Sequence, residues 1–473
     1  MRYLIILLIL LLTTCRSSQP LEVSNHHWQT CIAMANEYRQ HVAREQVENA
    51  GFPAFTAAPF LHGTRFLDEL VHEVTNDSQS RELLTVMTDL GDRIRRAENA
   101  ILSSPFPRKQ LDAIRDCSHL LSNESSLAEL RKILIERLQQ SPVVADHYNS
   151  TIQWLGLLPL LRPVFKWRID LLHKEERQSF DAEEYFIRSE TWTPISVSSQ
   201  PIDAKALPTA YTNSALSLPL LAETDLLTLF DRYAPRLTIE TMGHQDRPGK
   251  VVIENNTASI NIGAASAYFL PSWTRFAGRN LLQLNYVFWF SSRESRRWID
   301  LYSGTIDSLI WRVTLDEMGD VLLYDSIHSC GCYHKYFIAS DEVQIRSIPG
   351  SAEPANIFDL TILEHSSGLR LLVTSNEHFI VGIDNAAETT GNPYTLIRYD
   401  DLYTLPGTSG AHSLFARNGI ITGSERLERF TLWPTGIGNV GAMRQWGTHA
   451  TGFVARQHFD DARLFDRYFT LDH

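Results

Sequence analysis

Leu282-Gln283-Leu284-Asn285-Tyr286-Val287-Phe288-Trp289-Phe290 sets the architecture of this chain. Leu282, Leu284, Tyr286, Phe288 and Phe290 alternate with Gln283, Asn285, Val287 and Trp289, and a period of two is that of a strand. Further on, Trp311 to Leu315 and Val321 to His328 flank Asp316-Glu317-Met318-Gly319-Asp320, a hairpin signal. Asp359 to Leu363 and Leu369 to Thr374 flank Glu364-His365-Ser366-Ser367-Gly368 and predict a second hairpin. Repeated hairpins without intervening helices predict an antiparallel β-sandwich or barrel-like domain over residues 231–473.

Upstream the period lengthens to that of a helix. Trp28, Cys31, Ile32, Ala35, Tyr38 and Val42 recur at three and four residues, with Ser24 and Asn25 as N-caps. Leu83, Leu84, Met87, Leu90 and Ile94 predict a second helix. Leu111, Ile114, Cys117 and Leu121 predict a third, and Leu127, Leu130, Ile133, Leu134 and Leu138 a fourth. The fold class is therefore α+β: a helical domain over residues 20–175, a linker region over 176–230, and the β-rich domain. Within the linker region, Ile195 to Pro208 is the stretch poorest in large side chains. Ile152, Trp154, Leu155, Leu157, Leu158, Leu160, Leu161, Val164 and Phe165 make an apolar run broken by Pro159, Arg162 and Pro163. It is too short to span a bilayer. It reads as a buried joint between the two halves, or as a contact with a membrane surface.

Leu4 to Leu12 is unbroken apolar sequence behind Arg2, the length of a signal-peptide core. Leu12-Thr13-Thr14-Cys15 follows and resembles a bacterial lipobox, so residues 1–15 predict export and lipidation at Cys15. A plain secretory signal cleaved near Ser17-Ser18 is the alternative. With Cys15 lipidated, Cys31, Cys117, Cys330 and Cys332 remain, an even number suited to an oxidising compartment. Cys31 and Cys117 lie on inward helical faces and can form a disulfide or two buried thiols. A net charge of −12 disfavours general binding to nucleic acid or anionic lipid.

The densest chemical signal is His328-Ser329-Cys330-Gly331-Cys332-Tyr333-His334. His328, Cys330, Cys332 and His334 are residue types that bind zinc or another transition metal. On a straight strand the outer pair would lie about 20 Å apart, so one metal site needs a fold-back, which Gly331 permits. Cys330 and Cys332 can alternatively form a local disulfide or a redox pair, or stay as structural thiols. Asp325, three residues ahead, is the candidate general base or supporting carboxylate. Asp300 and Asp307 read as strand-end carboxylates. Towards the carboxy terminus Arg444, Trp446, His449, Arg456 and His458 suit polar recognition over an aromatic platform. No Gly-x-Ser-x-Gly elbow, phosphate-binding loop, His-Glu-x-x-His or dinucleotide fingerprint occurs.

The segments Arg232-Tyr233-Ala234-Pro235, Asp246-Arg247-Pro248-Gly249, Leu282 to Phe290, Ile310 to Leu315, Tyr324 to His334 and Gly441 to His449 resemble those of a family of exported Gram-negative bacterial proteins. Its mark is Tyr-Asp-Ser-Ile-His-x-Cys-Gly-Cys-Tyr-His, and the likeness covers roughly residues 230 to 470. It implies a cell-envelope protein and no particular activity. Two functional expectations follow. One is a lipid-anchored envelope protein facing the periplasm that binds a metal, a small ligand or a protein partner. The other is a metal-dependent hydrolase built on the Cys-His run.

Overall fold

The computed structural model describes residues 26–140, 143–180, 188–196, 203, 205–255, 257–385, 390–408 and 410–472. The signal and lipobox reading, the Ser24 and Asn25 caps, and parts of the linker region lie outside these residues.

The chain is α+β. Four helices form as their apolar spacing predicts: α1 (His26–Glu45), α2 (Asp77–Ile101), α3 (Arg108–Asn123) and α4 (Ala128–Gln140). Asn76 caps α2 by accepting from Gln79 N at 3.0 Å. Leu83, Leu84, Met87 and Ile94 of α2 are buried, each worth roughly 1.5–3 kcal/mol of apolar burial. Arg131 of α4 is buried and donates to both carboxylate oxygens of Asp77, at 2.8 and 2.9 Å, fastening α4 to the start of α2. Two further helices follow, α5 (Ser150–Leu155) and α6 (Leu158–Gln178).

Eleven strands form one sheet: β1 (Ser189–Pro194), β2 (Arg236–Glu240), β3 (Ser266–Phe276), β4 (Arg279–Arg293), β5 (Gly304–Leu315), β6 (Val321–Ile327), β7 (Lys335–Ile338), β8 (Asn356–Asp359), β9 (Arg370–Val373), β10 (Ile380–Asp384) and β11 (Asn392–Arg398). Their order is β8-β7-β6-β5-β4-β3-β11-β1-β2-β9-β10. The five neighbours from β7 to β3 are antiparallel, as the alternation predicts. The pairings β8–β7, β3–β11, β11–β1 and β2–β9 are parallel. The sheet is thus mixed, because a period of two marks a strand without saying which neighbour it takes.

The two predicted hairpins fare differently. The first hairpin is present, with β5 and β6 in antiparallel register and Gly319 in the left-handed region of its turn. The second is not. β8 pairs with β7 at one edge, while β9 lies between β2 and β10 near the other. The signal at Glu364 to Gly368 marks a real change of direction: a Cβ on Gly368 would overlap the Ala234 carbonyl. The chain there crosses between distant strands. The region 176–230, read as a linker region, carries β1 in the interior of the sheet and a helix at Glu223–Tyr233. A six-residue strand with Thr191 and Trp192 at its centre gives too short a run for periodicity to register.

Both faces of the sheet are covered. Leu282, Leu284, Tyr286, Phe288 and Phe290 pack with Phe230 and Tyr233 of the 223–233 helix. On the opposite face Val287 and Trp289 join a core that contains α1 to α4 and the chain from Tyr399 onward. Gln283 and Asn285, polar and alternating, are buried as well: Gln283 donates to Thr314 Oγ1 at 3.2 Å and Asn285 to the Leu270 carbonyl at 2.8 Å.

Candidate functional site

The Cys-His run forms a tight reversal between β6 and β7. His328 N donates to the Cys332 carbonyl at 3.1 Å and Gly331 N to the His328 carbonyl at 2.8 Å. Gly331 takes a φ of 88°, and a Cβ there would stand 2.3 Å from the Ala450 carbonyl, so glycine is required twice over. The fold-back occurs, but the two histidines leave it in different directions. His334 Nε2 lies 2.9 Å from Asp325 Oδ2 and its Nδ1 3.2 Å from the Tyr336 hydroxyl. His328 Nδ1 lies 3.6 Å from Asp307 Oδ1, beyond hydrogen-bond reach. Among the described residues no group of three or more His, Cys, Asp or Glu side chains is placed to hold a metal ion.

Cys330 and Cys332 are free, buried and adjacent. The hydrogen bond from the neighbouring thiol, and then burial, push the Cys332 thiol well above its ordinary range. A thiol held protonated is a poor nucleophile.

Asp325 is buried opposite Arg312 in the β5–β6 register, and Arg312 Nε donates to its Oδ1 at 2.7 Å. Burial by itself would raise this carboxyl; Arg312 and His334 outweigh it and hold it below the usual carboxylate range. Arg312 also donates to the Phe459 carbonyl at 2.7 Å and lies 3.6 Å from the centre of the Phe459 ring. The candidate base is thus an internal counter-ion that fastens the carboxy-terminal segment to the sheet.

Asp307, read from sequence as a strand-end carboxylate, is the centre of a second buried network. Arg426 donates to its Oδ1 at 2.9 Å and His378 Nδ1 lies 2.8 Å from its Oδ2. Burial acts to raise the Asp307 carboxyl, but Arg426 and His328 carry it well below the ordinary range. His378 stacks on Phe290 at 3.9 Å, and its Nε2 lies 3.2 Å from the Gln245 carbonyl. Burial pushes the nearby Glu428 carboxyl up to about 7. His378, Arg426 and Glu428 stand 44 or more positions from the Cys-His run, and no local pattern in the sequence joins them to it.

The carboxy-terminal candidates separate. Arg444 is buried and donates to the carbonyls of Gly438 and Asn439, the latter at 3.1 Å. His449 is buried with neither ring nitrogen hydrogen-bonded among the described residues; burial, then Arg444, hold its imidazole down to about 3. Arg456 pairs with Asp146 on the surface, and His458 lies 3.4 Å from Asp461. Trp446 alone enters the wall of a cleft, of about 420 Å³, between α2 and the sheet. Val86, Leu90, Leu221, Leu270 and Trp446 give that cleft an apolar lining, with Asp89 and Arg93 of α2 and Asp460 as its charged groups. Cys31 and Cys117 are joined as a disulfide between α1 and α3, with Cα atoms 6.0 Å apart.

Compared with known protein families, curated proteins and solved structures, the chain matches none.

Proposed function

We propose that this is an exported, lipid-anchored binding protein of the cell envelope, facing the periplasm, whose ligand is a small and largely apolar molecule held in the cleft between α2 and the sheet. The observation that carries the reading is the cleft itself. It is concave, walled by aliphatic and aromatic side chains, and supplied with two acidic groups, Asp89 and Asp460, and one basic group, Arg93, for a polar end of the ligand. The Cys31–Cys117 disulfide supports an oxidising compartment, and the apolar run ending at Cys15 supports export and lipidation. The Cys-His run then serves as a brace: Asp325 and His334 are spent on Arg312 and Tyr336, which weighs against their use in metal-dependent hydrolysis.

The test is titration with N-phenyl-1-naphthylamine, an apolar probe that fluoresces when shielded from water. One saturable site is expected, lost in Leu90→Trp, which fills the cleft, and retained in the surface variant Leu160→Glu. Unsaturable binding, or equal binding by Leu90→Trp with its fold intact, overturns the proposal. Fatty-acid labelling of cells, with Cys15→Ser as control, tests the anchor separately.

A further inference from the structure

The apolar run, read as a buried joint or as a contact with a membrane surface, stands largely at the surface, with Leu158 buried. Trp154 is 72% exposed, Leu160 73% and Trp167 64%. Leu160, Val164 and Trp167 follow one another at four and three residues and share one face of α6. Two other segments adjoin this one. Gln153 donates to the Thr435 carbonyl at 2.8 Å, and a Cβ on Gly156 would press on Pro434 and Trp433. Glu428 N donates to the Leu301 carbonyl at 3.0 Å, and Arg426 to the Tyr302 carbonyl at 2.8 Å. Exposed Phe430 and Trp433 therefore adjoin the α5–α6 face, and the loop carrying Trp298 and Ile299 adjoins the 426–428 segment that leads into them. Trp298 is 100% exposed.

The distribution of tryptophan marks this surface. The chain has ten. The four that are exposed, Trp154, Trp167, Trp298 and Trp433, all belong to these three segments. Tryptophan concentrates where one side of a ring meets hydrocarbon and the other meets headgroups. Basic residues accompany it: Arg168, Arg296 and Arg297 are exposed on the same segments, in a protein of net charge −12. No helix among the described residues is long and apolar enough to cross a membrane. An exposed apolar stripe with flanking arginines suits a surface lying in the plane of the lipid headgroups.

We propose that the α5–α6 face, with the 298–299 loop and the 430–433 segment, is a docking surface for a bilayer containing anionic lipid. It does not depend on lipidation of Cys15 or on a ligand in the cleft. A protein partner would need pockets for four separated tryptophans, whereas a lipid surface accepts them at any spacing. The local arginines also explain how an acidic protein meets an anionic membrane, which its net charge alone disfavours.

The test uses the full chain and vesicles of phosphatidylethanolamine with phosphatidylglycerol, part of the lipid brominated on its acyl chains. Bromine quenches tryptophan only on close approach. Residues 1–25 contain no tryptophan, so quenching cannot come from the amino-terminal apolar run. Quenching by phosphatidylglycerol vesicles is expected, weaker with phosphatidylcholine alone. It should fall roughly tenfold or more in lipid affinity for Leu160→Glu/Trp298→Glu, because those side chains no longer leave water. Both positions are exposed, so the double variant should melt with the wild type. Vesicle binding without quenching overturns the proposal and leaves the amino-terminal segment as the attachment. Equal quenching in the folded double variant overturns it too. So does absence of vesicle binding in a chain that self-associates until those two residues are changed, which would make the face a protein interface.

Discussion

Two buried carboxyls of this chain respond to pH in opposite directions. Asp325 is held below the usual range by Arg312 and His334 against the cost of burial, so its ionised form is the favoured one in the fold. Its contribution is complete above the pKa of an unfolded aspartate, about 3.9, and disappears as pH falls through the lower folded value. Glu428 is the reverse: burial raises it from 4.5 to about 7, so the fold binds its proton more tightly than the unfolded chain. Its contribution is complete below about 4.5 and is lost as pH rises through 7. Thermal melts between pH 2 and 8 on two variants test both signs. Asp325→Asn should cost roughly 3–5 kcal/mol at neutral pH, the penalty for stranding a buried Arg312, with the deficit narrowing in acid. Glu428→Gln should match wild type near pH 4.5 and become more stable than it above pH 7, by roughly 2–3 kcal/mol at most. A Glu428→Gln difference that does not vary with pH would count against the buried-acid account. That Asp325 matters was legible beside the Cys-His run; that it serves Arg312 was not, because cross-strand partners are fixed by register, which depends on the whole hairpin.

Helices and antiparallel strands were readable because each carries its own period. The buried faces of α1 to α4 contain Cys31, Leu84, Ile114 and Leu134 at the expected spacing. Parallel pairings were not readable. β11 joins β3 to β1 across well over a hundred residues of sequence, and a seven-residue strand gives no sign of which partner it takes. The covalent link within the helical layer has a measurable consequence. Cys31 and Cys117 are separated by 86 residues, and closing a loop of that size removes unfolded-chain entropy worth about 4.6 kcal/mol. Cys31→Ser/Cys117→Ser should therefore lower the urea midpoint by a clear margin, measured without reductant. Thiol labelling of unreduced, denatured wild type should find Cys330 and Cys332 but neither Cys31 nor Cys117. Reaction at Cys31 would defeat the link itself.

At the scale of the molecule, the boundary expected between a helical and a β-rich half crosses the largest core. Trp289 and Ile310 of the sheet belong to the same cluster as Tyr38 and Ile94 of the helices. Phe52 meets Tyr403 edge-on with ring centres 6.4 Å apart, and Arg93 of α2 lies 3.3 Å from Asp400. Arg65 reaches Asp460 at 3.3 Å, so early and late parts of the chain are packed and paired together. Removing either half would bare the apolar surface of the other, a loss that scales with area at about 25 cal/mol per Å². Unfolding should accordingly be a single transition. Tryptophan fluorescence, to which Trp192, Trp273, Trp289 and Trp311 in the sheet contribute, and far-ultraviolet circular dichroism, dominated by the helices, should give one midpoint in urea. A Leu84→Ala change deep in α2 should move both signals together by roughly 2–5 kcal/mol. If the dichroism midpoint shifts while the tryptophan midpoint stays, the helices fold as a separate unit, and the cleft between them and the sheet becomes a junction between domains.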